Sequence, residues 1–328
     1  MKKIKRISLI LAIMLMLVSI VACGDTATND ESNNTDVEQD TEQNEEVEEV
    51  EEVEEVEFPI EIEDGFGRKV NIEEAPERII SLAPSNTEIL FALGLDEKIV
   101  GVTSFDNYPE EALEKEEIGS VSEFNIEKVL ELEPDLVVSS GLSDEEDIER
   151  LEEADIAVIS YEPGSIDETI EVIKEIGKAT DSVEEANTVT DDMLSKKEEI
   201  VEKVKDVEDV KVFYEIWHEP LQAAGPGSFM DELITLAGGE NVAKDAKEAY
   251  AEYDLEQLVE KDPEVYLAAD DGEKTIEDIA ERPGYEEITA VKEENIYLLD
   301  DDISSRPGPR IVEALELVAE AIHPEIFE

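Results

Sequence analysis

The chain has 328 residues, 41% of them apolar, which is long enough for two domains of ordinary size and rich enough for a sizeable core. That composition excludes a fully disordered chain, a collagen and a disulfide miniprotein. With 91 Asp+Glu against 26 Lys+Arg the formal net charge is −65, which repels phosphate backbones and anionic headgroups and excludes nucleic-acid binding through a broad basic surface.

Residues 1–23 begin with Lys2, Lys3, Lys5 and Arg6 and continue as the apolar run Ile7–Val21. This is the shape of a secretory signal peptide, and the run is short for a spanning helix. The segment ends Ile20-Val21-Ala22-Cys23-Gly24, which resembles the bacterial lipobox, so Cys23 is expected to become a lipidated N-terminus. The alternative is an incidental thiol in an uncleaved helix. Residues 24–57 hold 16 acidic residues, no basic ones and four consecutive Glu-Glu-Val triplets. A helix there would stack like charges at i,i+3 and i,i+4, so the segment reads as a solvated, extended, disordered linker. Residues 58–328 keep 75 acidic and 22 basic residues, a balance of −53. Acidity so evenly spread reads as a solvation adaptation to concentrated (halophilic) salt, where self-repulsion is screened, rather than as a field for cations.

Within the remainder, Arg78–Ala83 has the pattern of a buried strand. Ser85-Asn86-Thr87-Glu88 then fits a capping box opening a helix that stops near Gly94. Residues 126–138 (IEKVLELEPDLVV) form a short amphipathic helix ended by proline and running into an apolar β-rich stretch. A near copy, LEQLVEKDPEVYL, lies 129 positions later at 255–267. The upstream elements repeat as well: the strand Val210–Ile216 precedes Ser228-Phe229-Met230-Asp231, which opens a helix ending at Gly238-Gly239. Between the copies, residues 182–207 contain no Pro or Gly and carry the apolar stripe Val183, Ala186, Val189, Met193, Ile200 and Val204. The predicted architecture is α/β. Two similar lobes with mainly parallel sheets (58–181 and 208–328) are joined by one long helix (182–207), about 39 Å at 1.5 Å per residue. A ligand cleft lies between them.

Loops at strand-to-helix junctions would line that cleft: Ala83–Thr87, Thr103–Tyr108, Ser139–Leu142, Trp217–Gly227 and Asp300–Arg310. Tyr214, Trp217 and His218 offer flat faces or polar tips, and Arg306 and Arg310 offer forked donors. Competing structural roles are a core cap for Trp217, a surface hydrogen bond for His218 and local carboxylate pairing for Arg310. His218 beside Glu219 offers two ligands, too few for a metal site, so no metal is expected. No Gly-x-Ser-x-Gly, His-Glu-x-x-His, Walker A or Gly-x-Gly-x-x-Gly pattern occurs, and the capping box explains Ser85 without chemistry. The chain therefore does not read as an enzyme, and a lipid-anchored hydrolase is the remote alternative.

The stretches "RIISLAPSNTEILFALG", "KIVGVTSFDNYP", "NIEKVLELEPDLVV", "GSFMDELITLAGGENV", "LEQLVEKDPEVYL" and "RPGPRIVEALELVAEAIHP" resemble the substrate-binding lipoproteins of bacterial ABC importers. The resemblance covers about residues 60–326 and is to the cobalamin and ferric-siderophore group, most of all the cobalamin (vitamin B12) binders. It implies an extracytoplasmic, membrane-anchored, monomeric carrier without cofactor, serving a permease dimer and its ATPase. The expected ligand is cobalamin or a related corrinoid, with a ferric siderophore or haem as the alternative. It also implies that Glu127 and Glu256, equivalent in the repeat, dock the two permease subunits. Pro84, Ser85, Phe105, Asp302 and Arg306 fall at corrinoid-contacting positions. Phe105 stands in for a tyrosine and Tyr250 for a tryptophan at the cleft rim, while Ser140 replaces another tryptophan. Trp217 completes the expected ligand set.

Overall fold

The computed structural model describes residues 56–270, 272 and 274–327. The leader, Cys23 and nearly all of the 24–57 linker lie outside the described residues.

The described chain opens on a hairpin of β1 (Ile60–Glu63) and β2 (Lys69–Ile72). Buried Asp64 closes its turn, accepting from the backbone N–H groups of Phe66, Arg68 and Ser160 and from the Arg68 guanidinium. There follow β3 (Ile79–Ser81), α1 (Pro84–Ala92), β4 (Ile99–Gly101), α2 (Ile126–Glu131), β5 (Leu136–Ser140), α3 (Glu145–Glu153), β6 (Ala157–Tyr161) and α4 (Ile166–Ala179). The strands from β3 to β6 make a four-stranded, all-parallel sheet in the order β4-β3-β5-β6. Leu136, Val137 and Val138 are all buried, as continuous apolar strands covered on both faces must be.

After α5 (Val183–Val204) come β7 (Val210–His218), β8 (Leu221–Ala224), α6 (Phe229–Leu236), β9 (Gly239–Asn241), β10 (Tyr250–Glu252), α7 (Leu255–Lys261) and β11 (Val265–Asp270). The chain continues through α8 (Ile276–Ala280), α9 (Thr289–Lys292), β12 (Ile296–Asp300), α10 (Asp301–Ser305), α11 (Ile311–Ile322) and α12 (Pro324–Phe327). The second sheet runs β10-β8-β7-β11-β12, with β9 beside the first half of β7. Strands β9, β7, β11 and β12 are parallel; β8 turns back antiparallel to β7, and β10 is antiparallel to β8. The protein is α/β with two separate sheets.

The internal repeat reaches the hydrogen-bond level. Asn125 and Asp254 cap the two short helices through their side chains. Each helix leads through a left-handed residue, Glu133 (φ 46°) or Asp262 (φ 49°), into proline and then a strand. The Asp135 carboxylate accepts the Arg78 N–H, and Arg78 caps the carbonyl of Leu132; the Glu264 carboxylate accepts the Lys211 N–H, and Lys211 caps the carbonyl of Lys261. A helix-end carbonyl lacks an intrahelical partner, so a cation there both donates and complements the dipole.

Helix α5 is 22 residues, about 33 Å long, and shorter at both ends than the expected 182–207. Its buried side chains are Ala186, Thr190, Met193, Ile200 and Val204; Val183 and Val189 are half-buried, and Thr190 was not foreseen. One apolar core runs from Ile79, Leu136 and Ile159 through Ile173, Ile176, Ala186 and Met193 to Val212, Leu267 and Leu315. Gly177 permits a close approach of α4 to α5: a Cβ there would lie 2.5 Å from that of Ala186. Because close-packed interiors resist deformation, this shared core makes the connection stiff.

Candidate functional site

A cavity of about 560 Å³ opens between the two sheets. The segments following β3 (Ala83–Asn86), β5 (Ser140–Leu142) and β6 (Tyr161–Gly164) line one side. Gly227 and Phe229 at the β8–α6 junction, Tyr250 on β10 and Ser305–Pro307 after α10 line the other. The wall is largely apolar, and its only charged members among the described residues are Glu162 and Arg306.

Helix α1 starts differently from the capping-box expectation. Its N-cap is Ala83, with no side-chain cap, and Pro84 occupies the first turn, where its missing N–H costs nothing and its fixed φ suits the helix. Ser85 is thus free to line the cavity. Glu88, expected to reach back to the helix start, is buried instead and accepts from two arginines of the other half of the chain. Arg310 donates to both carboxylate oxygens (Nε to Oε2, 2.8 Å; a terminal nitrogen to Oε1, 2.6 Å), and Arg306 donates to Oε1 at 3.1 Å. Arg310 also stacks over Tyr108, with 3.8 Å from its guanidinium carbon to the ring centre. Its carboxylate pairing therefore joins the two halves beside the cavity rather than being local.

Arg306 gives further hydrogen bonds to Asn107 (2.8 Å), to the carbonyl of Phe105 (3.3 Å) and to Asp302. Asn107 in turn donates to Asp302 at 2.7 Å. Next to this cluster, Asp106 is buried and accepts from the Thr103 N–H at 2.8 Å and from its hydroxyl. Burial pushes the Asp106 carboxyl above its ordinary value, against those hydrogen bonds. Its second oxygen and the Thr87 hydroxyl are buried without a hydrogen-bond partner.

Of the expected ligand residues, Pro84, Ser85, Tyr250 and Arg306 share the cavity wall; Phe105, Asp302 and Trp217 do not. Phe105 is exposed and offers its carbonyl to Arg306, and Asp302 is spent on Arg306 and Asn107. Trp217 was expected in a loop, but β7 continues through it to His218 and pairs it with Gln222; its indole is exposed and donates to the carbonyl of Glu219. It caps no core. His218 is exposed beside that indole, and Tyr214 is buried in the shared core, which pushes its phenol up to about 12.

Sequence reasoning missed Glu88, Tyr161–Gly164, Phe229 and Phe66. Pro163-Gly164 after an apolar strand was the available signal for the second of these, matching Gly141 after β5. Phe66, at the tip of the β1–β2 hairpin, is half exposed and stands over Gly141: a Cβ there would lie 3.1 Å from the phenyl ring and 2.1 Å from a Glu162 oxygen. A side chain at 141 would push the Glu162 carboxylate aside and crowd the Phe66 ring. Glu127 and Glu256 are exposed at matching second positions of α2 and α7, and neither carboxylate has an ion-pair or hydrogen-bond partner among the described residues. No cluster of metal-ligating side chains and no membrane-spanning helix occurs among them either.

Residues 79–303 match the family described as periplasmic binding protein. An uncharacterised ABC transporter substrate-binding lipoprotein of Bacillus subtilis is 34% identical over 332 residues, covering 99% of each chain. A vitamin B12-binding protein of Vibrio cholerae is 28% identical over 247 residues, covering 74% of this chain and 87% of its own. A solved structure described as a possible iron-binding (periplasmic solute-binding) protein of Staphylococcus epidermidis superposes with a TM-score of 0.68 at 30% identity, covering 76% of this chain and all of that one. With two sheets facing a ligand-sized cavity and a match over most of its described length, the chain belongs to the periplasmic binding protein family, as a non-catalytic substrate-binding protein of an ABC transporter.

Proposed function

We propose that the protein carries cobalamin or a related corrinoid to its permease. The observation that carries this is the character of the cleft: a mainly apolar wall whose single arginine is already committed to Glu88 and Asp302. Such a wall suits a large, largely apolar macrocycle held by contact area, with few polar groups to orient it. The vitamin B12-binding relative supports the same choice. A ferric siderophore or haem is the second reading, favoured by the iron-binding description of the Staphylococcus structure. The hydrolase alternative falls with family membership. Calorimetric titration separates the two ligands: cyanocobalamin should give a saturable heat at micromolar protein, and a siderophore heat in its place overturns the corrinoid choice.

The carrier acts outside the cytoplasm, as its family does. Anchoring through a lipid on Cys23, with residues 24–57 as tether and the carrier itself monomeric, completes the proposal; the lipoprotein relative supports the anchor. Glu127 and Glu256 are proposed to dock the permease, one per half, since a two-fold partner offers its basic site twice. Reversing both to Lys should leave ligand affinity intact and abolish uptake; unchanged uptake removes the role.

A further inference from the structure

We propose that Glu88, just behind the cavity wall, determines specificity: by neutralising Arg306, the arginine of that wall, it makes the site select neutral ligands and reject anionic ones. The proposal rests on the carrier reading and names the charge class of its cargo.

A guanidinium has five N–H donors, and four of those on Arg306 are taken: two on one terminal nitrogen by Glu88 and Asn107, two on the other by the Phe105 carbonyl and Asp302. Only the Nε hydrogen remains for a ligand. Arg310 spends its fork on both oxygens of Glu88 and its face on Tyr108. The two cations are thus matched by two carboxylates, Glu88 and Asp302. Adding Glu162 leaves the surroundings of the cavity with no surplus positive charge.

Glu88 matters more than Asp302 because of where it sits. Its side chain is 2% exposed, against 43% for Asp302, so its field is little screened by water. It also bonds both arginines and takes one of the Arg306 N–H groups that a ligand could otherwise use. An anionic chelate entering the cleft would have to compete for Arg306 with Glu88, which is itself fixed by its bidentate pair with Arg310. A neutral macrocycle meets no such demand. In the Glu88→Gln protein the amide keeps the volume and one acceptor but leaves about one more positive charge beside the wall, shared by Arg306 and Arg310 and open to an incoming anion.

The experiment measures affinity for two probes, cyanocobalamin and a trianionic ferric tris-catecholate, in the unaltered protein and in Glu88→Gln, with circular dichroism to verify the fold. The proposal expects anion affinity to rise at least about tenfold in Glu88→Gln, with a much smaller change for cyanocobalamin. Should Glu88→Gln fail to fold, Asp302→Asn, whose carboxylate is more exposed, should give the same change at smaller size. Folded variants with unchanged anion affinity overturn the proposal, as does an unaltered protein that already binds the anion tightly. If cyanocobalamin fails to bind while the variant still gains the anion, the corrinoid reading falls and the role of Glu88 stands.

Discussion

Glu88 and Glu215 are both buried carboxylates that grip guanidinium groups, and the contrast between them shows how one interaction serves two ends. Glu215 is fully enclosed and accepts from Arg282 and from the Tyr266 hydroxyl at 2.5 Å, with Lys274 3.4 Å away. Glu215 is on β7, Tyr266 on β11, and Lys274 and Arg282 flank α8, so the cluster ties one half of the protein to itself. Glu88 reaches arginines 218 and 222 positions away and ties the two halves together beside the cleft. Enclosed within one half, the pairing fixes a loop; joining the halves beside the cleft, it also sets what the cleft will accept.

The largest test of this contrast is Glu215→Ala, which leaves the buried end of Arg282 without its carboxylate. Unfolding in urea should show a loss of about 3–5 kcal/mol. Glu88→Ala should cost less, about 2–3 kcal/mol, because Arg306 keeps three other acceptors. A Glu88→Ala loss equal to that of Glu215→Ala would erase the distinction.

A finer comparison uses pH. Burial opposes ionisation of Glu215 most strongly, but hydrogen bonds from Arg282 and Tyr266 outweigh it and hold the carboxyl below its ordinary value. Its contribution is therefore complete above the ordinary carboxylate range and is lost as pH falls toward the depressed value. Asp106 has the opposite sign. Its raised value means the folded state binds a proton more readily than the unfolded one, so Asp106 weakens the fold as pH climbs through that value. Asp106→Asn should therefore stabilise the protein at neutral pH, by about 1 kcal/mol, and its new amide can donate to the unpaired Thr87 hydroxyl. The gain should vanish on acidification; a loss of stability at neutral pH would contradict the assignment. The smallest stability effect belongs to the exposed pair: Glu127→Lys with Glu256→Lys should move unfolding by no more than about 0.5 kcal/mol.

Much of the fold was legible because its signals are local. Residues 126–138 and 255–267 each carry helix, proline and strand within a short window, and α5 announces itself by lacking Pro and Gly. The cleft was legible only in part, because its walls depend on pairings that span the chain. Glu88 has the spacing of a capping box, and nothing near it reveals that Arg306 and Arg310 lie opposite. Pro220 and Gly225 suggest a loop from Trp217 onward, but pairing with Gln222 on β8, which only the folded hairpin supplies, carries β7 through to His218. Phe66 belongs to a hairpin whose docking depends on Asp64 meeting Ser160, a contact between positions 96 apart. With so many exposed carboxylates, no single glutamate stands out by type alone.

Hydrogen exchange with and without cyanocobalamin tests the central claim most directly. A carrier that holds its cargo between the halves predicts slowed exchange in residues 83–88, 140–142 and 161–164 together with 227–229, 250 and 305–307, and no change in α2 or α7. Protection confined to one half, or centred on the separate cavity beside Val207, Tyr297 and His323, would contradict it.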